Sequence, residues 1–470
     1  MSKNLTLSRV VAELRMSFKL ALPLIASKVV YGLSGFLATA MISHLSKEEL
    51  AAHSLVWNGY LTVTEFFVGI FFSVSIMVSQ SFGAKDNNSV KVCFVHGILL
   101  AIVSAPIMML IIWFFPAILD WTKQDPVIVE LAREPFRALM WSILPLNMMI
   151  VVHHFLIGIN KANLVTIMSV LIVPIEVFCF YAFLFGRWGF PNLGLAGVGY
   201  GLAISYSVST IPVLAYLFYS EKFKIYNLSK EWWANISANL KVSFELLRLG
   251  LPLGLIFLFE AALLAVVAIM MGRLGVNALA AYQISYQYLM IALVILFALI
   301  QAITVRVGVE VGKNNRRSLR VAAMMNFIIG FALLSGFSLA YIYFPEFAIG
   351  LTFDIDSPQT RELVNETSSF LSVIGILILI NCIRLISTGA LRGLKDTTMP
   401  AIINFIGFWC IAFPAAYLFG FEFGLGGVGI WWGLVIGVSF SAIVLFFRFN
   451  RMSSHINLEG LVTKADRVKH

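Results

Sequence analysis

Apolar residues in this chain come in long, almost unbroken runs, unlike the two-residue alternation of a half-buried strand or the narrow stripe of a soluble amphipathic helix. Clusters of charged and turn-forming residues cut the runs into twelve segments, at residues 17–43, 50–81, 90–119, 134–158, 163–186, 194–219, 246–272, 278–305, 320–351, 367–391, 399–420 and 427–449. At ~1.5 Å per residue each can cross a hydrocarbon core of ~30 Å. The pattern predicts an all-α integral membrane protein with twelve transmembrane helices. Between the sixth and seventh runs lies the longest polar stretch, 221–245, in which Trp232 and Trp233 stand beside lysines as in an interfacial amphipathic segment. The connections TKQDPVIVELAREPFR and FDIDSPQTRELVNE read as solvated loops.

Composition agrees: 60% of residues are hydrophobic, 12% are charged, and the mean hydropathy is +0.91. Soluble domains carry about 25% charged residues. The four cysteines (Cys93, Cys179, Cys382, Cys410) lie inside apolar runs without a C-x-x-C pair, which suits packing better than metal binding or disulfides. The first apolar run continues past the length of a signal peptide's core and is expected to be retained as a helix.

The net charge of +9 follows topology. With the N-terminus placed in the cytoplasm, 24 of the 33 Lys and Arg residues fall on the inner side, 7 on the outer side and 2, Lys28 and Arg384, inside spans. That asymmetry predicts both termini inside a plasma (inner) membrane and leaves no surface meant for nucleic acid. No nucleotide-binding loop, nucleophile motif, metal cluster or channel-filter repeat occurs, so neither an enzyme nor a channel is indicated, and no cofactor is expected.

The two halves repeat each other. Pro23 in LALPL answers Pro252 in LGLPL, Leu50-Ala51-Ala52-His53 answers Leu279-Ala280-Ala281-Tyr282, and Gly83 answers Gly312, all at an offset of 229 residues. Gly197-Val198-Gly199 answers Gly427-Val428-Gly429 at 230, while Leu156-x-Gly158 answers Leu391-x-Gly393 less neatly. Six spans per half make the repeats parallel. This predicts two six-helix lobes, 1–220 and 246–450, related by a pseudo-two-fold axis along the membrane normal, with 221–245 as linker and 451–470 as tail.

The residues LRLGLPLGLIFLFE, RLGVNALAAYQIS, VRVGVEVG and ALRGLKDTT resemble the multidrug and toxic-compound extrusion (MATE) family, NorM-like branch. The resemblance implies a central cleft between the lobes and efflux of organic compounds by alternating access, driven by inward H⁺ or Na⁺. The family's cation site includes a seventh-helix glutamate, kept as Glu260, the only charge in Leu249–Met271; the resemblance implies that Glu260, with Glu176 in support, couples ion entry to export. Its tenth-helix aspartate is replaced by Asn381, and the residue after Gly35-Phe36-Leu37, an aspartate in the family, is Ala38. Fewer hard oxygen ligands favour H⁺ over Na⁺.

The remaining intramembrane charges are candidates by default, since a charge at mid-bilayer costs about 2.5–3.5 kcal/mol on insertion scales. Glu176 lies midway along the fifth span, Lys28 in the first and Glu65 in the second. Lys28, Tyr31, Gly32 and Gly35 share one helical face; Lys28 can pair with Glu176 or Glu65 as a structural ion pair or as part of a switch. Arg384, with Asn381 and Thr388 on its face, can pair with Glu260, receive an anionic substrate or exchange partners on protonation. Gln283, Tyr286 and Gln287 form a polar face on the eighth span suited to an amphipathic ligand. Adjacent His153 and His154 point about 100° apart, which suits packing and not a metal. Export of organic anions and lipid-headgroup flipping stay open as alternatives. Lipid bilayer, organic substrate and coupling cation are the partners implied, and no oligomer is required.

Overall fold

The computed structural model describes residues 7–228, 237, 239–350 and 361–464, with side chains from residue 15 onward. Trp232, Trp233 and residues 353–360 of the outer loop lie outside the described residues. Among the described residues there is no strand, and twelve helices are long and apolar enough to span a membrane. They are α1 (Leu7–Ile42), α2 (Lys47–Gly83), α3 (Asn87–Trp121), α4 (Pro126–Gly158), α5 (Ala162–Phe185) and α6 (Ala196–Tyr219), then α7 (Leu240–Leu274), α8 (Val276–Gly312), α9 (Arg316–Tyr343), α10 (Arg361–Gly393), α11 (Thr398–Glu422) and α12 (Gly426–His455). The expected fold class, all-α with twelve transmembrane helices, is the one observed.

Several helices outrun their apolar cores. α4 begins at Pro126, not near 134, because Asp125 caps it through the Val127 amide and Pro126 fills the first turn, where no amide partner is needed. Its polar start is tied by Arg137 to Glu134 at 2.6 Å and by Arg133 to Asp120 at 3.1 Å. The stretch read as a loop is therefore largely the first turns of α4. α10 is helical from Arg361 onward, ahead of the expected 367. α2 opens with a capping box, the Ser46 hydroxyl accepting from the Glu49 amide while the Glu49 carboxylate accepts from the Ser46 amide.

The duplication is visible in the turns. After α2 the Asp86 amide donates to the Ser81 carbonyl, and after α8 the Asn315 amide donates to the Glu310 carbonyl, with Lys85 and Asn314 left-handed at φ 58° and 53°. After α4 and α10 the same bond joins Lys161 to Leu156 and Asp396 to Leu391, with Asn160 and Lys395 left-handed. This six-to-one closure is the Schellman geometry. It aligns Leu156 with Leu391 and Gly158 with Gly393, so the weak match in sequence is a register shift within an intact motif.

The chain divides into two compact units, one of Met1–Ala21 with Leu255–Leu461 and the other of Leu22–Gly254 with Val462–His470. The changeovers fall next to Pro23 and Pro252, so the units and the lobes expected at 1–220 and 246–450 differ in where the first turns of α1 and α7 belong. In the unit containing Leu22–Gly254, α4 packs on α2, α3 and α6; in the other, α10 packs on α8, α9 and α12. The apolar windows of α2 and α8 are each 72% buried and those of α4 and α10 each 67%, which makes these pairs the centre of their units.

Close helix contacts use glycine. Gly250 and Gly254 let the start of α7 lie on α2: a Cβ at Gly254 would come 2.5 Å from the Phe66 carbonyl oxygen. Gly433 and Gly437 do the same for α12 on α11, where a Cβ at Gly433 would sit 2.2 Å from the Ala416 nitrogen. α11 winds as a π-helix over Ile406–Ala412 and Leu418–Glu422, on either side of Pro414, which has no amide to donate. Three of the cysteines are buried as expected for packing residues, whereas Cys410 is exposed.

Candidate functional site

Each unit holds an intramembrane glutamate hydrogen-bonded by a side chain of another helix, and the two settings differ. In the unit containing Leu22–Gly254, Ser27, Tyr31 and Ser34 recur at helical spacing on α1 and face α5. Ser27 is hydrogen-bonded to Ser169, and the Ser34 hydroxyl donates to Glu176. Glu176 is 2% exposed, and among the described residues no Lys or Arg lies within ion-pair distance of it. Tyr31 from α1, Tyr60 from α2 and Tyr206 from α6 stand within electrostatic reach of the carboxyl group. Tyr31 donates to the Met149 sulfur at 3.6 Å, and Tyr60 is bonded to Ser142 at 2.8 Å. Glu176 is thus enclosed by hydroxyl groups.

Lys28 lies near one of the two carboxylates open to it and not the other. It is exposed and forms no ion pair with Glu176; its electrostatic neighbours are Glu65, also exposed, and His153. The reason is rotational: neighbouring helix positions diverge by about 100°, so the face that meets α5 carries Ser27 and Ser34 while Lys28 points elsewhere. Exposed charges at mid-span are tolerable only where water reaches them. His154 packs buried against Phe72 at 4.6 Å between ring centroids, a packing role as expected.

In the unit containing Leu255–Leu461, Glu260 on α7 meets Arg384 on α10, with Oε1 2.8 Å from Nη2. Arg384 is 1% exposed and fully engaged: Nε donates to Asn381 Oδ1 at 2.8 Å, Nη1 donates to Asn404 Oδ1 at 3.1 Å, and the guanidinium carbon lies 5.0 Å from the Phe408 ring centroid. Asn404 is held in turn by donating to the Pro400 carbonyl at 2.8 Å. Asn381 therefore serves as an acceptor that orients Arg384. Phe408 belongs to the first π-helical stretch of α11, a geometry frequent at functional positions.

Tyr286 stands within electrostatic reach of Glu260. It stacks on Tyr282, which donates to the Leu264 carbonyl at 3.1 Å and packs on Trp431. Gln283 and Gln287 are exposed and Tyr286 half-buried, while Tyr282, Ser285 and Tyr288 are buried, so the polar face read on α8 is the accessible one. The structure brings Glu260, Asn381, Arg384 and Tyr286 together, and separates Glu176 from Lys28 and Glu65. Sequence reading did not find Ser34, Ser169, Tyr60, Tyr206, Asn404 or Phe408. The Ser27–Tyr31–Ser34 spacing was the one available signal, lying one residue from the stripe through Lys28.

Among the described residues no group of His, Cys, Asp and Glu could hold a metal ion. A duplicated helical bundle with a glutamate sunk in the membrane part of each half defines a membrane transporter. The sequence model of the MatE family matches residues 23–182 and 252–418, its two copies starting at the prolines from which the repeat was read. The chain belongs to this family, the MATE multidrug efflux transporters, and is not an enzyme. It is 32% identical over 434 residues to the probable multidrug resistance protein NorM of Agrobacterium fabrum, covering 92% of each chain. With the protein of the same name from Rhizobium meliloti it shares 29% over 446 residues, covering 94% of each. The crystal structure of the eukaryotic MATE transporter AtDTX14 superimposes with a TM-score of 0.82 at 17% identity, over 97% of this chain and 98% of that one; that likeness concerns the fold.

Proposed function

We propose that the chain exports drug-like organic compounds by alternating access in exchange for protons, with Glu176 carrying the proton and Glu260 acting as a charge partnered by Arg384. The observation that carries this reading is the contrast in counter-charge. Glu176 is buried among hydroxyl groups with no cation beside it among the described residues, whereas Glu260 is paired to a buried guanidinium. Protonating Glu260 in this arrangement would leave Arg384 uncompensated, a costly state. Protonating Glu176 strands no partner. Coupling at Glu260 then requires that Arg384 changes partners between the two facings of the transporter. A ligand shifts such an equilibrium only by its differential affinity for the two states, and a proton on Glu176 can supply that difference.

Protons are favoured over Na⁺ because a guanidinium adjoins one carboxylate and a single carboxylate serves the other. Gln283, Tyr286 and Gln287 offer amide and aromatic groups for the substrate. The alternative of organic-anion export loses support at Arg384, whose nitrogens are all engaged. Lobes 1–220 and 246–450, linker 221–245 and tail 451–470, with both termini cytoplasmic in the plasma (inner) membrane, are the functional partition we adopt. The test is efflux from vesicles reconstituted with purified protein, with a pH gradient and a Na⁺ gradient imposed separately and cationic and anionic substrates compared. Transport driven by Na⁺ alone, or of anions alone, overturns the reading.

A further inference from the structure

A groove of about 1300 Å³ runs between α9, α10 and α12, remote in sequence from both glutamates. Its mouth is lined by Arg316, Arg317 and Arg320 and by Asn450; its length is lined by apolar side chains, among them Met324, Phe327, Phe331, Ile443, Phe446 and Phe447. On α9 the residues Arg316, Arg320, Met324, Phe327 and Phe331 recur every three or four positions, so one helical stripe passes from guanidinium to aromatic. From Arg316 to Phe331 that stripe rises about 22 Å at ~1.5 Å per residue, matching one leaflet of a bilayer ~40–45 Å thick including headgroups.

The mouth is built. Arg316 donates to the Ser454 carbonyl at 2.8 Å and to the Ile456 carbonyl at 2.6 Å, which fastens the start of α9 to the end of α12. Arg320 is exposed and has no side-chain partner among the described residues. Three cations within the first five residues of a helix stand toward the unfavourable end of its dipole, so they do not serve the helix itself. The Lys and Arg asymmetry puts this end on the cytoplasmic side, where anionic lipids concentrate. Topology calls for basic residues on that side; it does not call for their convergence on a groove one leaflet deep.

We propose that this groove is a binding site for an anionic phospholipid, with the phosphate on Arg320 beside Arg317 and an acyl chain along Phe327, Phe331 and Phe446. Charge complementarity and leaflet-matched length select this occupant over a peptide or a second copy of the chain. The proposal does not rest on the coupling scheme.

The test uses the full chain in mixed micelles with equal amounts of phosphatidylglycerol and phosphatidylcholine of the same acyl composition, with retained lipids counted by native mass spectrometry. Phosphatidylglycerol is expected to be retained in preference, and excess inorganic phosphate is expected not to displace it. Arg320→Gln reduces its retention about fivefold, Arg317→Gln/Arg320→Gln reduces it further, and Arg320→Lys keeps it. Ile443→Trp, which fills the groove and leaves the arginines, also reduces retention. The unfolding midpoint without lipid monitors folding of each variant. Equal retention of both lipids, or a preference that survives in both folded Arg320→Gln and folded Ile443→Trp, overturns the site. So does occupation of the groove by a peptide or a second copy, seen as added protein mass.

Discussion

Arg384 Nη2 lies 2.8 Å from Glu260 Oε1, and the guanidinium's other nitrogens are spent on Asn381 and Asn404. A pair of this kind gains little over an apolar replacement, but losing one partner costs about 3–5 kcal/mol because the other charge is stranded. Glu260→Gln and Arg384→Gln are each expected to lower the unfolding midpoint of the purified protein and to impair efflux. The double variant recovers much of the stability and none of the transport. Parallel thermal unfolding and vesicle assays check this; full transport by the double variant would make the pair a packing element only.

Glu176→Gln tests the proton carrier. Glutamine keeps the shape and can still accept from Ser34, so stability should change by less than about 1 kcal/mol. Efflux driven by an imposed pH gradient should be lost at equal expression. A variant that still couples to the gradient reduces Glu176 to a hydrogen-bond acceptor.

Gly433 lies where a Cβ would approach the Ala416 backbone to 2.2 Å. Gly433→Val must push α11 from α12 and is expected to destabilise by about 1–3 kcal/mol. Because α11 supplies Asn404 and Phe408 to Arg384, transport should fall as well. An unchanged unfolding midpoint would contradict the observed helix approach.

Ser46→Ala removes one side of the capping box at α2 and should cost about 1 kcal/mol. The change is remote from both glutamates, so efflux per folded molecule should stay at the parental level. Hydrogen exchange at the start of α2 gives the local readout.

Much of this architecture was legible because hydropathy and repetition are properties of the linear chain. Twelve apolar runs became twelve helices, and the 229-residue offset from Pro23 to Pro252 reappears as matched turns at Lys85 and Asn314. Helix ends were less legible: at Pro126 a cap and polar first turns extend α4 beyond its apolar stretch, which a hydropathy boundary cannot register.

By itself the amino-acid order determined the class, the duplication and the presence of Glu260 and Glu176 deep in apolar runs, since the bilayer makes any charge there conspicuous. Tertiary structure decided which groups those carboxylates meet. A helix turns about 100° per residue, so a shift of one position exchanges Lys28 for Ser27 at the α5 contact, and Asn404 reaches Arg384 from 20 residues away on another helix. Partner choice depends on the rotation and approach of whole helices, and no local spacing encodes that.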